Sequence, residues 1–215
     1  MPDTERDVKI KICGLRRMED IKYANMLLPD YTGFILADGF SRQITKKQAA
    51  EFASQLDKRI KRVGVFVNQP AKTAAEYVNN GIIQYVQLHG DEDNRYIDNL
   101  KGYVKREFGI IKAIRVRSAE DIKKAADYKC DYLLLDAYSG RQAGGGNGVV
   151  FDWTLIKNIS KPFFLAGGIS HLNVADAIKM VKPYAVDASS SMETDGYKDY
   201  NKMKAFVDAV HGGIR

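Results

Sequence analysis

The stretch Asp131–Gly148, with the sequence DYLLLDAYSGRQAGGGNG, indicates both the fold and the kind of site that this chain carries. Its residues 132–135 form a short apolar run of the kind seen in parallel strands that are buried on both faces. The run ends on Asp136. A carboxylate is costly inside a strand but is tolerated at a C-terminal strand end that opens on a site.

Beyond that strand the same stretch becomes a glycine-rich loop. Gly144, Gly145 and Gly146 have no Cβ, so their backbone N–H groups can approach an anion closely. The stretch therefore predicts an acid beside a phosphate-binding loop. The alternative is a strand end followed by a flexible surface loop.

The composition is that of a globular protein. The chain has 215 residues, of which 45% are hydrophobic and 28% charged, which suits one domain with a single large core. No apolar run approaches the ~20 residues of a membrane span, and the polar start MPDTERD does not resemble a secretory signal. The formal net charge of +6 is spread over helical segments among acids. We therefore expect a cytoplasmic protein with no nucleic-acid or membrane partner.

The two cysteines, Cys13 and Cys130, are expected to be free thiols. Cys13 ends one apolar run and Cys130 precedes another. In parallel strands of one sheet the two would lie near opposite ends, at ~3.3 Å per residue, beyond the ~7 Å Cα separation that a disulfide spans. Free thiols are usual in the cytosol.

Apolar runs and helical segments alternate about eight times along the chain. The predicted strands are 8–13, 33–36, 62–67, 84–88, 109–114, 132–135, 163–166 and 184–187. The predicted helices include 46–56 capped by Thr45, 91–100, 119–126 capped by Ser118, a short one at 153–158, 172–180 and 200–210. Such alternation requires a mainly parallel sheet, and eight units favour a single (β/α)8 TIM barrel over 1–215 with a polar tail over 1–7. A doubly wound sheet usually has fewer strands and would carry a glycine fingerprint after the first one, where this chain has only Gly14.

Active sites of such barrels lie at the C-terminal strand ends. The residues expected there are Cys13, Arg42, Asn68, His89, Arg115, Asp136, Gly167, Gly168, Asp187, Ser189, Ser190 and Ser191. Lys11 shares a face with Cys13 by strand alternation. Of its two interpretations, a structural ion-pair partner is favoured over a cation that promotes the thiolate.

The loops after the seventh and eighth strands are the usual phosphate-binding loops of this fold. Here they read AGGIS and DASSS, and their small residues predict a phosphate ester as substrate. The histidines and cysteines show no zinc spacing, and there is no GxxxxGK[ST] loop, so we expect side-chain chemistry without a metal or other cofactor.

Ten short motifs then match one family in order along the chain. They are KICG (11–14), GF (33–34), SRQ (41–43), VGVFVN (63–68), VQLHGDE (86–92), LLLDA (133–137), FDW (151–153), LAGGI (165–169), VDASS (186–190) and GYKD (196–199). The sequence resembles the phosphoribosylanthranilate isomerases of tryptophan biosynthesis over essentially its whole length.

The resemblance implies an Amadori rearrangement of N-(5′-phosphoribosyl)anthranilate, with Asp136 as general acid and Cys13 as general base. It implies that Arg42 holds the anthranilate carboxylate, unless it is a solvated loop arginine. His89 either orients the substrate or only satisfies a strand end, and Asp187 either holds substrate or orders the loop after strand eight. Gly145, Gly146, Gly167, Gly168, Ser189 and Ser190 are expected to bind the phosphate.

The chain also departs from the family pattern. Ser41 stands where many members have proline, GGGNG with Asn147 replaces a GGTG-type loop, and Ser191 and Met192 replace the glycine and valine of SSGVE. The last two departures affect the phosphate loops. The alternatives are another sugar-phosphate barrel enzyme, such as an epimerase or indoleglycerol-phosphate synthase, or a non-catalytic phosphate-binding barrel. A small phosphorylated molecule is the expected partner, and the protein is expected to be a monomer or weak homodimer.

Overall fold

A computed structural model describes residues 8–137, 151–157 and 159–212, and eight parallel strands in these ranges close into a barrel. The strands are β1 Lys9–Cys13, β2 Tyr31–Ile35, β3 Lys61–Phe66, β4 Tyr85–Leu88, β5 Gly109–Val116, β6 Tyr132–Ala137, β7 Phe163–Leu165 and β8 Ala185–Ala188. They pair in sequence order, and β8 pairs with β1, so the predicted (β/α)8 barrel is confirmed. The predicted tail over 1–7 lies outside the described residues.

Helices connect the strands on the outside. They are α1 Met18–Leu27, α2 Lys46–Gln55, α3 Ala71–Asn79, α4 Asn94–Tyr103, α5 Ala119–Ala125, α6 Val174–Val181 and α7 Tyr200–Gly212. The helix predicted at 153–158 is a 3₁₀ turn, Trp153–Leu155. A second 3₁₀ turn, Ser190–Met192, follows β8 and leads into a small antiparallel hairpin of β9 Glu193–Thr194 and β10 Tyr197–Lys198.

Two helix starts follow the predicted capping chemistry. The Thr45 hydroxyl accepts the backbone N–H of Gln48 at 3.2 Å, so α2 begins at Lys46 as expected. At the start of α5 the carboxylate of Asp121 accepts the backbone N–H of Ser118 at 2.9 Å. These local contacts explain why both boundaries could be predicted from sequence.

The predicted start of the fourth helix at Asp91 is wrong, because α4 begins at Asn94. Asp93 caps it by accepting the N–H of Tyr96 at 2.8 Å. Glu92 lies outside the helix because its side chain is engaged in tertiary contacts. Its carboxylate accepts the N–H of Asn68 at 2.7 Å and forms an ion pair with Lys112 at 3.1 Å.

Strand β2 also begins earlier than predicted, at Tyr31. The reason is a layer of aromatic side chains that fills the N-terminal end of the barrel: Tyr31, Tyr85, Tyr132, Phe164 and Tyr184. Three of the tyrosines lie on β2, β4 and β6, and Tyr184 immediately precedes β8. Side chains from alternate strands form the layers of such barrels in the same way. The layer fills this end of the barrel interior among the described residues.

The two thiols are free, as predicted, with Cys13 at the C-terminal end of β1 and Cys130 before β6. Throughout the ranges given above, no helix has the length and apolar character that crossing a membrane requires.

Candidate active site

A cavity of about 710 Å³ opens at the C-terminal ends of the strands. It is lined by the nine residues predicted to act in catalysis or substrate binding that fall within the described ranges: Cys13, Arg42, His89, Asp136, Gly167, Gly168, Asp187, Ser189 and Ser190. Asn68 and Arg115, which were also expected at these strand ends, do not line this cavity. The structure thus brings together side chains from β1, β6 and β8 with the loops that follow β2, β4, β7 and β8. The remaining two, Gly145 and Gly146, lie outside the described residues.

Cys13 lies on the inner face of β1 beside a glycine that leaves room for its sulfur. Gly33 is its register partner on β2, and a Cβ built on Gly33 would lie 2.6 Å from Cys13 Sγ. The Cys13 side chain is buried, with 7% of its surface exposed. Burial raises the pKa of the thiol, and the Lys11 ammonium opposes this without cancelling it, so the pKa stays above its ordinary value.

Lys11 forms a buried ion pair, which is the role that the sequence analysis favoured for it. Its side chain is fully buried, and Nζ donates to Asp187 Oδ2 at 2.8 Å, across the β1–β8 register pair. Burial lowers the pKa of Lys11, but the charges of Asp187 and Cys13 and their hydrogen bonds raise it above the ordinary value. Lys11 therefore stays protonated and also favours the Cys13 thiolate, so the two interpretations coexist.

Asp136 reaches the cavity from the end of β6 and is also accommodated by a glycine. Gly167 has φ +77°, and a Cβ on it would lie 2.3 Å from the backbone nitrogen of Ala137 and 2.8 Å from Asp136 Oδ1. His89 approaches the other carboxylate oxygen, with Nε2 3.3 Å from Oδ2. His89 thus contacts the predicted acid directly, which neither interpretation of this residue had anticipated.

Arg42 is held by a carboxylate that the sequence analysis did not single out. This carboxylate belongs to Glu193, at the start of β9. Arg42 Nε donates to Glu193 Oε1 at 2.7 Å, and Arg42 Nη2 donates to Oε2 at 2.8 Å. Lys198 Nζ also donates to Glu193 Oε1 at 2.7 Å. The hydrogen bond and charge of Glu193 raise the pKa of Arg42. Arg42 is therefore a fixed, half-buried cation at the cavity wall and not a solvated loop arginine.

Only one edge of the Arg42 guanidinium is used by these contacts. The Nη1 group has no hydrogen-bond partner among the described residues, so the edge formed by Nη1 and the second Nη2 hydrogen presents two donors in one plane. Gly14, with φ +82°, permits this arrangement, because a Cβ there would lie 2.7 Å from Arg42 Cδ.

The two predicted phosphate loops are tied to each other. Ser191 Oγ, in the loop after β8, donates to the carbonyl oxygen of Ile169, in the loop after β7, at 2.7 Å. Within the loop after β7, Asn173 Nδ2 donates to the carbonyl oxygen of Gly168 at 2.9 Å. Gly168 has φ +69°, which favours glycine. Of the two departures from the family pattern here, Ser191 joins the loops and Met192 is buried in the core.

Sequence reasoning missed three residues that shape the site: Gly33, Gln87 and Glu193. Gln87 had a detectable signal, since it is a polar residue within the apolar strand β4. Gly33 also had a signal, since a glycine within a strand often marks the close approach of another group. Glu193 gave none, because its role depends on a partner brought near by barrel closure. In the described ranges, no cluster of three or more His, Cys, Asp or Glu side chains could hold a metal ion.

Comparison with known proteins identifies one family. Residues 10–209 match the family model described as N-(5′-phosphoribosyl)anthranilate (PRA) isomerase. The chain is 47% identical over 209 residues to the N-(5′-phosphoribosyl)anthranilate isomerase of Caldanaerobacter subterraneus subsp. tengcongensis, covering 96% of this chain and 100% of that protein.

Solved structures agree with this match. The crystal structure of phosphoribosyl anthranilate isomerase from Thermotoga maritima superposes with a TM-score of 0.84 at 31% identity, covering 95% of this chain and 99% of that one. A phosphoribosyl anthranilate isomerase in complex with reduced 1-(o-carboxyphenylamino)-1-deoxyribulose 5-phosphate superposes with a TM-score of 0.81 at 30% identity, with the same two coverages.

Proposed function

The chain belongs to the N-(5′-phosphoribosyl)anthranilate isomerase family and catalyses the Amadori rearrangement of tryptophan biosynthesis, for which we propose Cys13 as general base and Asp136 as general acid. The substrate is N-(5′-phosphoribosyl)anthranilate and the product 1-(2-carboxyphenylamino)-1-deoxyribulose 5-phosphate. The observation that carries the two roles is that a buried thiol and a carboxyl line one cavity, each beside a glycine that leaves it room.

In the first step Asp136 donates its proton to the furanose ring oxygen. The bond between this oxygen and C1 breaks, its electron pair stays on the oxygen, and the nitrogen lone pair of anthranilate forms a C1=N double bond. The protonated Schiff base that results makes the proton on C2 acidic. An acid placed at the ring oxygen is needed because an alkoxide is otherwise a poor leaving group.

In the second step Cys13, as thiolate, takes the proton from C2. The electrons of the C2–H bond form a C1=C2 double bond, and those of C1=N return to nitrogen, giving an enolamine. Proton transfer from the C2 hydroxyl to C1 then yields the ketose. Lys11 supports this step, since its charge lowers the cost of the thiolate in a buried position.

The substrate's two anionic ends have matching partners on the cavity wall. We assign the anthranilate carboxylate to the Nη1–Nη2 edge of Arg42, because planar forks suit carboxylates. The phosphate is assigned to the loops of Gly167–Gly168 and Ser189–Ser190, with Ser191 joining them. Asp187 is assigned an indirect role through Lys11, whose ammonium it holds.

Single substitutions test the two catalytic roles. Asp136→Asn keeps the shape of the side chain but supplies no proton, and Cys13→Ser replaces the thiol with a poorer base. A proton-transfer group contributes about 10²–10⁴-fold, so each variant should lose turnover by this factor with little change in KM. Fluorescence decay of phosphoribosylanthranilate generated in situ measures the rate.

Cys130→Ser is the matched control, since Cys130 is equally buried but lies at the opposite end of the barrel. It should keep parent turnover. Parent-like turnover in Cys13→Ser would show that the thiol serves packing only. Parent-like turnover in Asp136→Asn would remove the acid from this scheme.

Three further predictions accompany this function. The chain is expected to act in the cytoplasm, to consist of one barrel domain over 1–215 including the tail 1–7, and to be a monomer or weak homodimer. Sedimentation velocity over a range of protein concentrations measures the last of these.

A further inference from the structure

The GYKD motif (196–199) places a buried lysine next to residues of the cavity wall. Lys198 ends strand β10, and only 1% of its side-chain surface is exposed. Its register partner across the hairpin is Glu193, and Lys198 Nζ donates to Glu193 Oε1 at 2.7 Å. The same carboxylate binds the Nε and Nη2 groups of Arg42. One buried acid is therefore shared by two cations.

The contacts of Lys198 are those of a charged ammonium group. Besides Glu193, its Nζ donates to the carbonyl oxygen of Ser189 at 3.0 Å and, at the longer distance of 3.5 Å, to Ser189 Oγ. The hydroxyl hydrogen of Ser189 is used elsewhere, because Oγ donates to the carbonyl oxygen of Cys13 at 2.9 Å. Burial lowers the pKa of Lys198, and the charge and hydrogen bond of Glu193 oppose this. All three partners of Nζ are acceptors, which suits the three hydrogens of an ammonium group.

The backbone of the hairpin is anchored by other side chains. Arg17 Nη2 donates to the carbonyl oxygen of Lys198 at 2.9 Å, and its guanidinium lies 4.4 Å from the ring centre of Tyr197. Lys202 Nζ donates to the carbonyl oxygen of Glu193 at 2.7 Å. Because these contacts do not involve the ammonium group of Lys198, we expect the hairpin to keep its place when that charge is removed.

The cluster of Arg42, Glu193 and Lys198 carries an excess of positive charge. Burial raises the pKa of Glu193, but the hydrogen bond of Arg42 and the charge of Lys198 lower it below its ordinary value, so the carboxyl group is ionised. Two positive charges thus accompany one negative charge. An unbalanced charge in a buried position costs free energy. An anion bound at the Nη1–Nη2 edge of Arg42 would balance it.

Lys198 changes the conditions under which Arg42 can bind a carboxylate. Glu193 alone already compensates the guanidinium charge, and a substrate carboxylate at the neighbouring edge would place a second negative charge beside the same cation. The two carboxylates would then repel each other. With Lys198 present, two cations accompany the two carboxylates, and the charges balance.

We propose that Lys198 is a positioning residue for substrate binding, which shares Glu193 with Arg42 and so leaves the Nη1–Nη2 edge of Arg42 with the positive charge that the anthranilate carboxylate requires. Lys198 acts through Glu193 and Arg42. The preference for an anionic aryl group over an uncharged one then depends on Lys198 as well as on Arg42. This inference rests on the proposed contact between Arg42 and the anthranilate carboxylate.

Two unreactive ligands isolate the contribution of the carboxylate. The first is reduced 1-(o-carboxyphenylamino)-1-deoxyribulose 5-phosphate, and the second is the same compound without its carboxyl group. Titration calorimetry gives the Kd of both ligands for the parent, Lys198→Met and Lys198→Gln. Coupling between two sites is typically 5- to 150-fold, so we expect each variant to bind the first ligand about 10-fold more weakly and the second with nearly parent affinity. Lys198→Gln keeps a hydrogen-bond donor and is measured in case Lys198→Met does not fold.

A double variant distinguishes a role of the charge from a role in packing. Lys198→Met combined with Glu193→Gln removes one positive and one negative charge, which restores the net charge of the cluster, and the glutamine keeps an acceptor for Arg42. The double variant should bind the carboxylated ligand more tightly than Lys198→Met does. If Lys198 served packing only, the second substitution would bring no gain, and this result would overturn the inference.

Lys202→Met is the matched control, since Lys202 donates to the backbone carbonyl of Glu193 and not to its carboxylate. It should leave the ratio of the two dissociation constants at the parent value. A parent ratio in folded Lys198→Met and Lys198→Gln overturns the inference, also where both ligands lose affinity equally through the Ser189 loop. A parent ratio in Arg42→Lys would instead reject the contact between Arg42 and the carboxylate, which separates the two failures.

Discussion

Replacing Gly33 with alanine should displace the thiol of Cys13 without removing any ionisable group. The Cβ of an alanine at this position would lie 2.6 Å from Cys13 Sγ, 3.2 Å from its Cα and 3.3 Å from its Cβ. Ordinary contacts begin at 3.4 Å, so the sulfur must move by about 0.8 Å. The backbone of β1 cannot yield easily, because it is hydrogen-bonded to both β2 and β8.

A shift of this size acts on a group that must reach a single proton. A misplacement of about 1 Å can cost roughly 10²-fold in rate, which corresponds to about 2.7 kcal/mol in activation free energy. We therefore expect Gly33→Ala to lose about 10²-fold in kcat. KM should change little, because the three atoms nearest to the added methyl group all belong to Cys13, which is not assigned to substrate binding.

The fluorescence assay on phosphoribosylanthranilate measures the rate, and thermal unfolding checks that the variant is folded. Gly102→Ala is the control, since a Cβ at this position in α4 meets nothing within 4 Å. It should keep parent activity and unfold at the same or a higher temperature. Parent kcat in a folded Gly33→Ala would refute the claim that the thiol must occupy its observed position.

Three other outcomes are expected. Arg42→Lys should lower kcat/KM by about 10- to 150-fold, from the loss of a charged hydrogen bond of about 1.5–3 kcal/mol. Unchanged KM and kcat would show that Arg42 does not bind the carboxylate. Gly168→Glu should weaken inhibition by ribose 5-phosphate, because it adds bulk and negative charge to the proposed phosphate site. Gly81→Glu, another glycine with positive φ but beside Arg106, is its control, and equal inhibition constants for both would contradict the phosphate assignment. Finally, kcat/KM of the parent should rise with pH along a limb above the ordinary thiol pKa of about 8.5, because burial raises the pKa of Cys13 and the thiolate is the active form. Cys13→Ser should lack this limb, and a limb shared by both would exclude the thiol as its source.

Features that depend on short stretches of chain were predictable. The alternation of apolar runs and helical segments indicated the barrel, because parallel strands need helical crossovers. The caps at Thr45 and Ser118 depend on residues three positions away. Residues at C-terminal strand ends could be placed at one rim without knowing any contact, since all parallel strands end there. This is why nine candidate site residues line one cavity.

Partners distant in sequence were decided only by the tertiary structure. Glu193 holds Arg42 from 151 positions away, and Lys11 meets Asp187 from 176 positions away. The start of α4 differs from the predicted one for the same reason, because Glu92 forms an ion pair with Lys112 on the next strand. Strand periodicity assigns each residue to a face of the sheet. It does not say which side chains meet inside the barrel, because that depends on register and closure, and these are set by the packing of all eight strands together.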